Sequence, residues 1–533
     1  MDPLIFFGVL IAIYGVLFFF DRFFKSCMHY PYDAFLKNTG VTIQFLRLKW
    51  HTTAFNRLVL RLGNSGGSCC RSWLSKSFTV GVLIALSLVP VGIILLFITI
   101  FGGGSGSGAG QQQDFTGGGS KILENSSKTQ TISLEILLPG VNLPLEEIGY
   151  YVATLLISTV VHELGHAIAA VLEDIPVTGF GFHLYFCLPI AYTEISSEHL
   201  NALKWLRKLR ILCAGIWHNV VFAAFCYLLL STLGFVAAPL YSLNKNVIVT
   251  QVTQQSPLRG KAERGLMEGN IVTQINDCDV YNEDTWFLCL LKALRSKPAF
   301  CVSSDFIRLN DESIEISHHS SDGTLQCCDD KNAKLCCFEY IDDFSNDAPV
   351  EIPQHVCLDV RRTMEDSYGY CSHAGTCERG FCLRPLLRNS TTIMIFKRDY
   401  SVLQQQAVEK PSAPPLKNVI YMGHPLDVTH SVRISPFVPK HSYISPKWCD
   451  SYQLFLKYNI VFSLGLAFIN AIPCFGFDGY HITNTIVNSF LVNRITEKPK
   501  RDVISLIVTG IGSLLFGLAV LKVLWLSLLR YLF

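Results

Sequence analysis

One stretch limits what this chain can become more than any other. From Ile148 to Leu172 the residues are apolar enough to cross a bilayer as a helix, yet the middle reads His162-Glu163-Leu164-Gly165-His166. An ionisable side chain at such a depth costs roughly 2–3 kcal/mol or more when it has no partner. The two histidines are four residues apart. On a helix that spacing puts both imidazoles on one face, one turn apart, where they can reach a single metal ion. Glu163 lies beside them and can take a proton from a water molecule held there. A pair of surface histidines on a soluble helix would give the same five letters, but the apolar surroundings argue against that reading.

The rest of the chain agrees with a membrane setting. Half of its 533 residues are hydrophobic, only 16% are charged and the mean hydropathy is +0.34. A soluble globular protein rarely combines so few charges with so much apolar content. The net charge of +2 gives no reason to expect a nucleic-acid partner. Leu4 to Phe20 is an unbroken apolar run without a basic leader or a small-residue cleavage site, and reads as a retained first span. Residues 21–78 are basic and aromatic, with nine Lys/Arg against two Asp. Phe78 to Phe101 is a second span, expected to kink at Pro90 or to turn back there as a hairpin. Further spans are expected at about 203–240, 452–474 and 503–529. Residues 179–195 are rich in Gly and aromatics and broken by Pro189, which reads as a membrane-embedded β-hairpin.

Eleven of the 19 cysteines fall between Cys278 and Cys382, inside the mostly polar stretch 247–450. Clustering of that kind predicts disulfides in an oxidising lumen. The pairs Cys327-Cys328 and Cys336-Cys337 also admit a second zinc site, although their spacing fits no standard finger. Eleven is odd, so at least one thiol stays outside the framework. Sequons at Asn125 and Asn389 are glycosylation candidates and agree with a luminal side. If those segments are luminal, the helix at 148–172 enters from the lumen and exits to the cytosol. Residues 21–78 are then cytosolic if 78–101 crosses once, and luminal if it turns back. The chain divides into N-terminal spans and a basic loop (1–101), a Gly/Ser/Gln-rich linker (102–147), a membrane core with the HELGH segment (148–240), a soluble domain (241–450) and a C-terminal membrane core (451–533).

A metal bound by two histidines needs a third protein ligand. Asp478, in the segment Asn470-Ala471-Ile472-Pro473-Cys474-Phe475-Gly476-Phe477-Asp478-Gly479, is the best candidate, and Glu194 the next. An Asp at a helix end is more often a simple turn residue. The combination of HELGH in a membrane helix with a distant Asn-x-x-Pro-x-x-x-x-Asp-Gly segment resembles the site-2 protease family of intramembrane zinc metalloproteases. That resemblance implies one zinc ion per chain held by His162, His166 and Asp478, with Glu163 as catalytic base. It also implies substrate contacts at Asn470, Pro473 and Asn219. Phe477 stands where the family usually has Leu. Ile216 stands where it has Pro, in Ala214-Gly215-Ile216-Trp217-His218-Asn219. His218 reads as a packed histidine rather than a ligand. Residues 255–277 are similar to part of a PDZ domain, interrupted by the cysteine-rich stretch 301–382.

The fold expected is therefore a polytopic α-helical membrane protein with a membrane-embedded β-hairpin and a luminal PDZ-like, cysteine-rich α+β domain. The resemblance implies cleavage of single-pass membrane proteins within the lipid bilayer of the Golgi or endoplasmic reticulum. The substrates implied are membrane-tethered transcription factors such as the sterol regulatory element-binding proteins, already cut on the luminal side. Two other readings remain: a prenyl-protein peptidase, which uses a glutamate as third ligand, and a non-catalytic scaffold binding peptides through the PDZ-like domain.

Overall fold

The computed structural model describes residues 3–27, 30–64, 68–101, 147–185, 188–254, 256–259, 265–295, 298–314, 327–328, 334–341, 355–371, 377–387, 391–400 and 418–532. Asn125, Asn389 and almost all of the linker lie outside them. The described chain forms two units. One is built from the residues up to Phe101, from 147 to Thr232 and from Gln453 onward; the other runs from Leu233 to Tyr452.

The first unit is mainly helical: α1 (Pro3–Ser26), α2 (Ser68–Phe101), α3 (Ile148–Leu172), α4 (Trp205–Leu212), α5 (Ala214–Ala237), α6 (Lys447–Ala471), α7 (Asp478–Phe490) and α8 (Lys498–Leu532). Among the described residues five helices, α2, α3, α5, α6 and α8, are long and apolar enough to cross a membrane. This makes the chain a polytopic membrane protein. Helix α2 runs unbroken through Pro90, so the segment does not turn back there. The expected span at 203–240 is two helices, α4 and α5, separated at Cys213.

Small and polar residues let these helices meet. Val82 and Ala85 of α2 pack with Leu209, Leu212 and Cys213, with Ile216 of α5 and with Ala467 and Ala471 of α6. Between α3 and α6 the Ser158 and Ser463 hydroxyls are 2.9 Å apart, and the Tyr151 and Tyr458 rings meet edge to face at 4.9 Å. Close approach and hydrogen bonding replace the hydrophobic effect between helices in lipid.

Residues 177–185 and 188–195 pair as an antiparallel hairpin, β3 (Val177–Tyr185) with β4 (Leu188–Ile195). The hairpin does not stand alone. Two strands from the basic segment, β1 (Val41–Gln44) and β2 (Arg47–Thr52), extend it to a four-stranded sheet in the order β1-β2-β3-β4. The sequence reading treated 21–78 as a loop, because its charges hide a short alternating pattern. Gly181 explains the fit of β3: a Cβ there would run into the Trp50 carbonyl and lie 2.6 Å from the Tyr192 ring. The sheet ends on β4, which packs against α3.

The second unit contains two large antiparallel sheets and a small one that pairs Tyr241–Ser242 with Val438–Pro439. In one, the strands run in the order Val419–Gly423, Thr392–Tyr400, Asn270–Ile275, Val247–Val252, Val432–Ser435, with Cys278–Asp279 paired to the central strand. Helices Glu283–Arg295 and Pro425–Ser431 cover a core of Val247, Leu266, Val272, Trp286 and Phe396. The other sheet lies within 299–385, in the order His355–Asp359, Leu335–Tyr340, Gly380–Pro385, Ala299–Ser303, Gly369–Cys371. It has its own core of Phe300, Phe338, Val356 and Leu383. The interruption anticipated at 301–382 is thus a folded subdomain.

Ten of the clustered cysteines pair: Cys278–Cys289, Cys301–Cys377, Cys327–Cys337, Cys328–Cys357 and Cys371–Cys382. Cys327, Cys328 and Cys337 are therefore spent in disulfides rather than held for a second zinc ion. Cys336 is the eleventh thiol; it is buried and free, and burial pushes it up to about 11.

Candidate metal centre

Helix α3 positions the first two groups. His162 and His166 are buried on the same side of the helix, with their Nε2 atoms 3.2 Å apart. Asp478 is the first residue of α7, reached from α6 through a tight turn. Gly476 adopts a φ of +88°, a conformation that side-chain-bearing residues rarely take. A Cβ on Gly479 would collide with the Ile472 carbonyl, so this glycine lets the turn fold back on itself. The turn delivers Asp478 Oδ2 to 3.0 Å from His162 Nε2 and 3.1 Å from His166 Nε2. Residues 316 and 312 positions apart in sequence thus offer two nitrogens and a carboxylate oxygen around one point.

The surroundings show that these residues suit a metal. His166 Nδ1–H donates to the Ile211 carbonyl at 2.8 Å, which leaves the lone pair on Nε2, facing the shared point. The Asn219 amide lies 3.2 Å from His162 Nδ1, and its oxygen is buried without a partner. The two ends of an amide have the same shape. With the oxygen turned to His162, Nδ1–H donates to it and Nε2 is again the free lone pair. Gly215 completes the cradle. A Cβ on it would lie 2.5 Å from both Nε2 atoms, close to where an ion about 2.0–2.1 Å from each nitrogen must sit. Only a glycine leaves that space open.

Glu163 follows His162 on α3, and its backbone carbonyl accepts the Thr193 hydroxyl of β4 at 3.1 Å. The edge strand is thereby pinned to the helical turn that carries Glu163. Asn470 and Pro473 are buried in the segment leading to Asp478, with the Asn470 amide donating to the Leu466 carbonyl. Asn219 is fully buried behind His162. His218 stacks on Phe78 and its Nδ1–H donates to the Ala214 carbonyl, away from the cluster. Glu194 is an exposed residue beside His51, outside the cluster. Among the described residues the other close trio of potential ligands is Cys301, Cys371 and Cys377, whose thiols are in disulfides.

In the sequence Gly215 has a place in the Ala214–Asn219 segment but no role, and nothing singles out Ile211 or Thr193. The first had a readable signal, because Gly215 and Asn219 are four apart and share a face of α5. The other two act through a backbone carbonyl and a cross-strand position, which leave no trace in residue type.

A membrane-spanning helix with HELGH on its buried face and an aspartate brought in from a distant turn defines a membrane-embedded metalloprotease. The comparison with known families agrees. The model described as Peptidase family M50 matches residues 150–516, which include the whole centre. The chain belongs to this family, the site-2 proteases, and is an intramembrane metalloprotease. It is similar to the membrane-bound transcription factor site-2 protease homolog of Arabidopsis thaliana, with 23% identity over 511 residues, covering 89% of this chain and 91% of the relative.

Proposed function

We propose that this chain is a zinc-dependent endopeptidase that cuts a peptide bond within the transmembrane segment of membrane-anchored transcription factors, after a first cut on the luminal side, and so frees their cytosolic part. The sterol regulatory element-binding proteins are the substrates expected. The convergence of His162, His166 and Asp478 carries the reading. The name of the plant relative, which includes transcription factors, supports the substrate class. The disulfide-rich unit, with its PDZ-like sheet and paired helices, is assigned to the lumen of the Golgi or endoplasmic reticulum, since disulfides persist there.

When bound, zinc polarises the scissile carbonyl and lowers the pKa of its water. The two histidines and Asp478 would hold the ion, and Asn219 and the Ile211 carbonyl hold the histidine rings. Glu163 takes the proton of the attacking water and returns it to the departing amine nitrogen as the C–N bond breaks. The middle of the motif lies about 12 Å from the cytosolic end of α3, at 1.5 Å per residue, so water enters from that side. A helical substrate must unwind before its carbonyl can be attacked. Strand β4 ends the sheet beside Glu163 and offers its edge to the unwound segment, whose backbone groups would otherwise go unpaired in lipid. Asn470 and Pro473 shape the turn at the same end of the site.

Glu163→Gln tests the reading. The variant keeps its zinc and loses cleavage of a reconstituted substrate by roughly a hundredfold or more, the scale of a missing general base. Cleavage at a near wild-type rate would remove Glu163 from the mechanism.

A further inference from the structure

A cavity of about 850 Å³ opens between α4, α7 and the first turns of α8, and none of the metal-centre residues lines it. Its charge is unbalanced. Lys208, Lys498 and Arg501 line it against one acid, Asp502. That carboxylate already accepts from the Asn488 amide at 2.9 Å. Arg501 is 8% exposed and donates to neutral oxygens, those of Asn488, Ile495 and Thr496. The Lys208 ammonium donates to the Asn201 side chain at 2.7 Å. Partial burial and the nearby Lys498 hold it below the ordinary lysine range. Two further features point to an anion. Helix α8 has 35 residues and no acid in its first turn, and the one acid just before it, Glu497, is paired with Lys500 at 2.8 Å, so the positive end of the dipole favours a further anion. Ser505 lines the same cavity, is 2% exposed and has a hydroxyl with no hydrogen-bond partner.

Position decides the kind of anion. Lys498 is the first residue of the span through α8, and α4 leads directly into the span α5. The cavity therefore lies where two spans begin, at headgroup depth. Trp205 on its wall is half exposed and packs at 6.1 Å against exposed Phe490, an aromatic pair suited to a membrane interface. The lining changes character along α8: below the cations come Val503 and Leu506, each 54% exposed. A cationic mouth above an apolar, lipid-facing wall matches an amphiphile rather than a free ion.

We propose that this cavity binds the phosphate headgroup of an anionic membrane phospholipid, with Lys208 and Lys498 on the phosphate oxygens and the acyl chains along Val503 and Leu506. Neither lysine belongs to the metal centre, so the proposal stands apart from the protease chemistry.

The test uses the full-length chain in detergent, with binding read by native mass spectrometry and zinc content measured in parallel. The probes are dioleoyl phosphatidic acid, dioleoylglycerol with the same chains but no phosphate, and inorganic phosphate. Phosphatidic acid binds, and dioleoylglycerol binds at least roughly tenfold more weakly. Lys208→Gln with Lys498→Gln weakens phosphatidic acid binding by roughly tenfold or more, since each cation near a headgroup contributes about a factor of five. Zinc content stays at the wild-type level, which shows that the double variant is folded. Lys498→Glu alone, at an exposed position, gives the same direction of change. Equal binding of phosphatidic acid to wild type and variants overturns the proposal. So does equal binding of phosphatidic acid and dioleoylglycerol. Inorganic phosphate competing at concentrations comparable to the lipid would show a soluble-anion site and overturn the lipid assignment.

Discussion

The two units of this molecule differ in how much of what they bury is polar. In the membrane unit the buried set includes His162, His166, Asn219, Asn459, Thr154, Ser158 and Ser463, several of them with no exposure at all. In the second unit the largest fully buried side chains are apolar, among them Phe300, Phe338, Phe396 and Leu358, and five disulfides tie the strands. The contrast follows from the solvent. Lipid tails are as apolar as leucine, so burying leucine there gains little, and specific contact falls to polar pairs, small residues and a metal. In water, apolar burial drives folding, and cross-links add to it by limiting the unfolded chain. The chemistry sits in the unit where polar groups are most costly to leave unpaired.

The largest effect should separate the units completely. A zinc chelator, or Asp478→Ala, should abolish cleavage and empty the metal site while all five disulfides stay intact on non-reducing gels. A membrane-impermeant reductant should do the reverse. Each native disulfide removed costs a small domain about 2–5 kcal/mol, so the second unit should become protease-sensitive while the zinc content of the chain holds. If reduction also releases zinc in proportion, the membrane unit is not held together by its own contacts, and the comparison fails.

Gly215→Ala is the next step down. The added methyl would lie 2.5 Å from both ligand nitrogens. Zinc occupancy should fall to a small fraction of wild type and activity with it, although Ala favours helix over Gly by roughly 1 kcal/mol. A site that loses its metal while its helix gains stability is the signature of a cradle. Full zinc occupancy in this variant would show that α5 does not bound the metal position.

Much of this centre was legible from sequence. The four-residue spacing of His162 and His166 and the charge of Glu163 inside an apolar run point to a metal helix, and only in combination with that helix does Asp478 in its glycine-flanked turn become the best candidate for a third ligand. Five of the six expected spans and an odd thiol in the cysteine cluster are equally readable, since length, hydropathy and parity are local or countable. What was hidden is relational. Strands β1 and β2 are short and charged, and only their pairing with β3 gives them a face to cover. The disulfide partners Cys301 and Cys377 are 76 positions apart, and spacing carries no information on such pairings. The substrate contact at Asn219 rests on the resemblance, whereas the proximity of its amide to His162 Nδ1 is visible only in the fold.

That proximity gives the third prediction. Asn219→Leu removes the amide beside His162 Nδ1 and leaves a buried ring N–H without an acceptor. Loss of such an outer partner lowers metal affinity roughly 10–100-fold. Competition with a fluorescent chelator should show this shift, and cobalt substituted for zinc should give an altered visible spectrum. Asn219→Asp, which restores an oxygen acceptor, should recover most of the affinity. If Asn219→Leu binds metal as tightly as wild type but raises only the KM for substrate, Asn219 is a substrate contact after all.

The smallest effect tests the packing side of the comparison. Ser158 and Ser463 share a buried hydrogen bond at 2.9 Å between α3 and α6, remote in sequence but not far along α3 from His162. In lipid such bonds average about 0.6 kcal/mol, because the separated helices find other partners. Phe338→Ala in the second unit removes a fully buried ring, and large-to-small changes of that kind cost about 3–5 kcal/mol. A double-mutant cycle of Ser158→Ala and Ser463→Ala, read by denaturation of the chain in mixed micelles, should give a coupling below about 1 kcal/mol, with Phe338→Ala costing several times more. The two serines also replace bulk with closeness, so Ser158→Leu should cost more than Ser158→Ala. If the serine pair couples by as much as the phenylalanine costs, hydrogen bonding rather than close approach holds α3 against α6. Helix α3 would then be fixed by polar contacts along its whole length, not only where His162 and His166 meet Asp478.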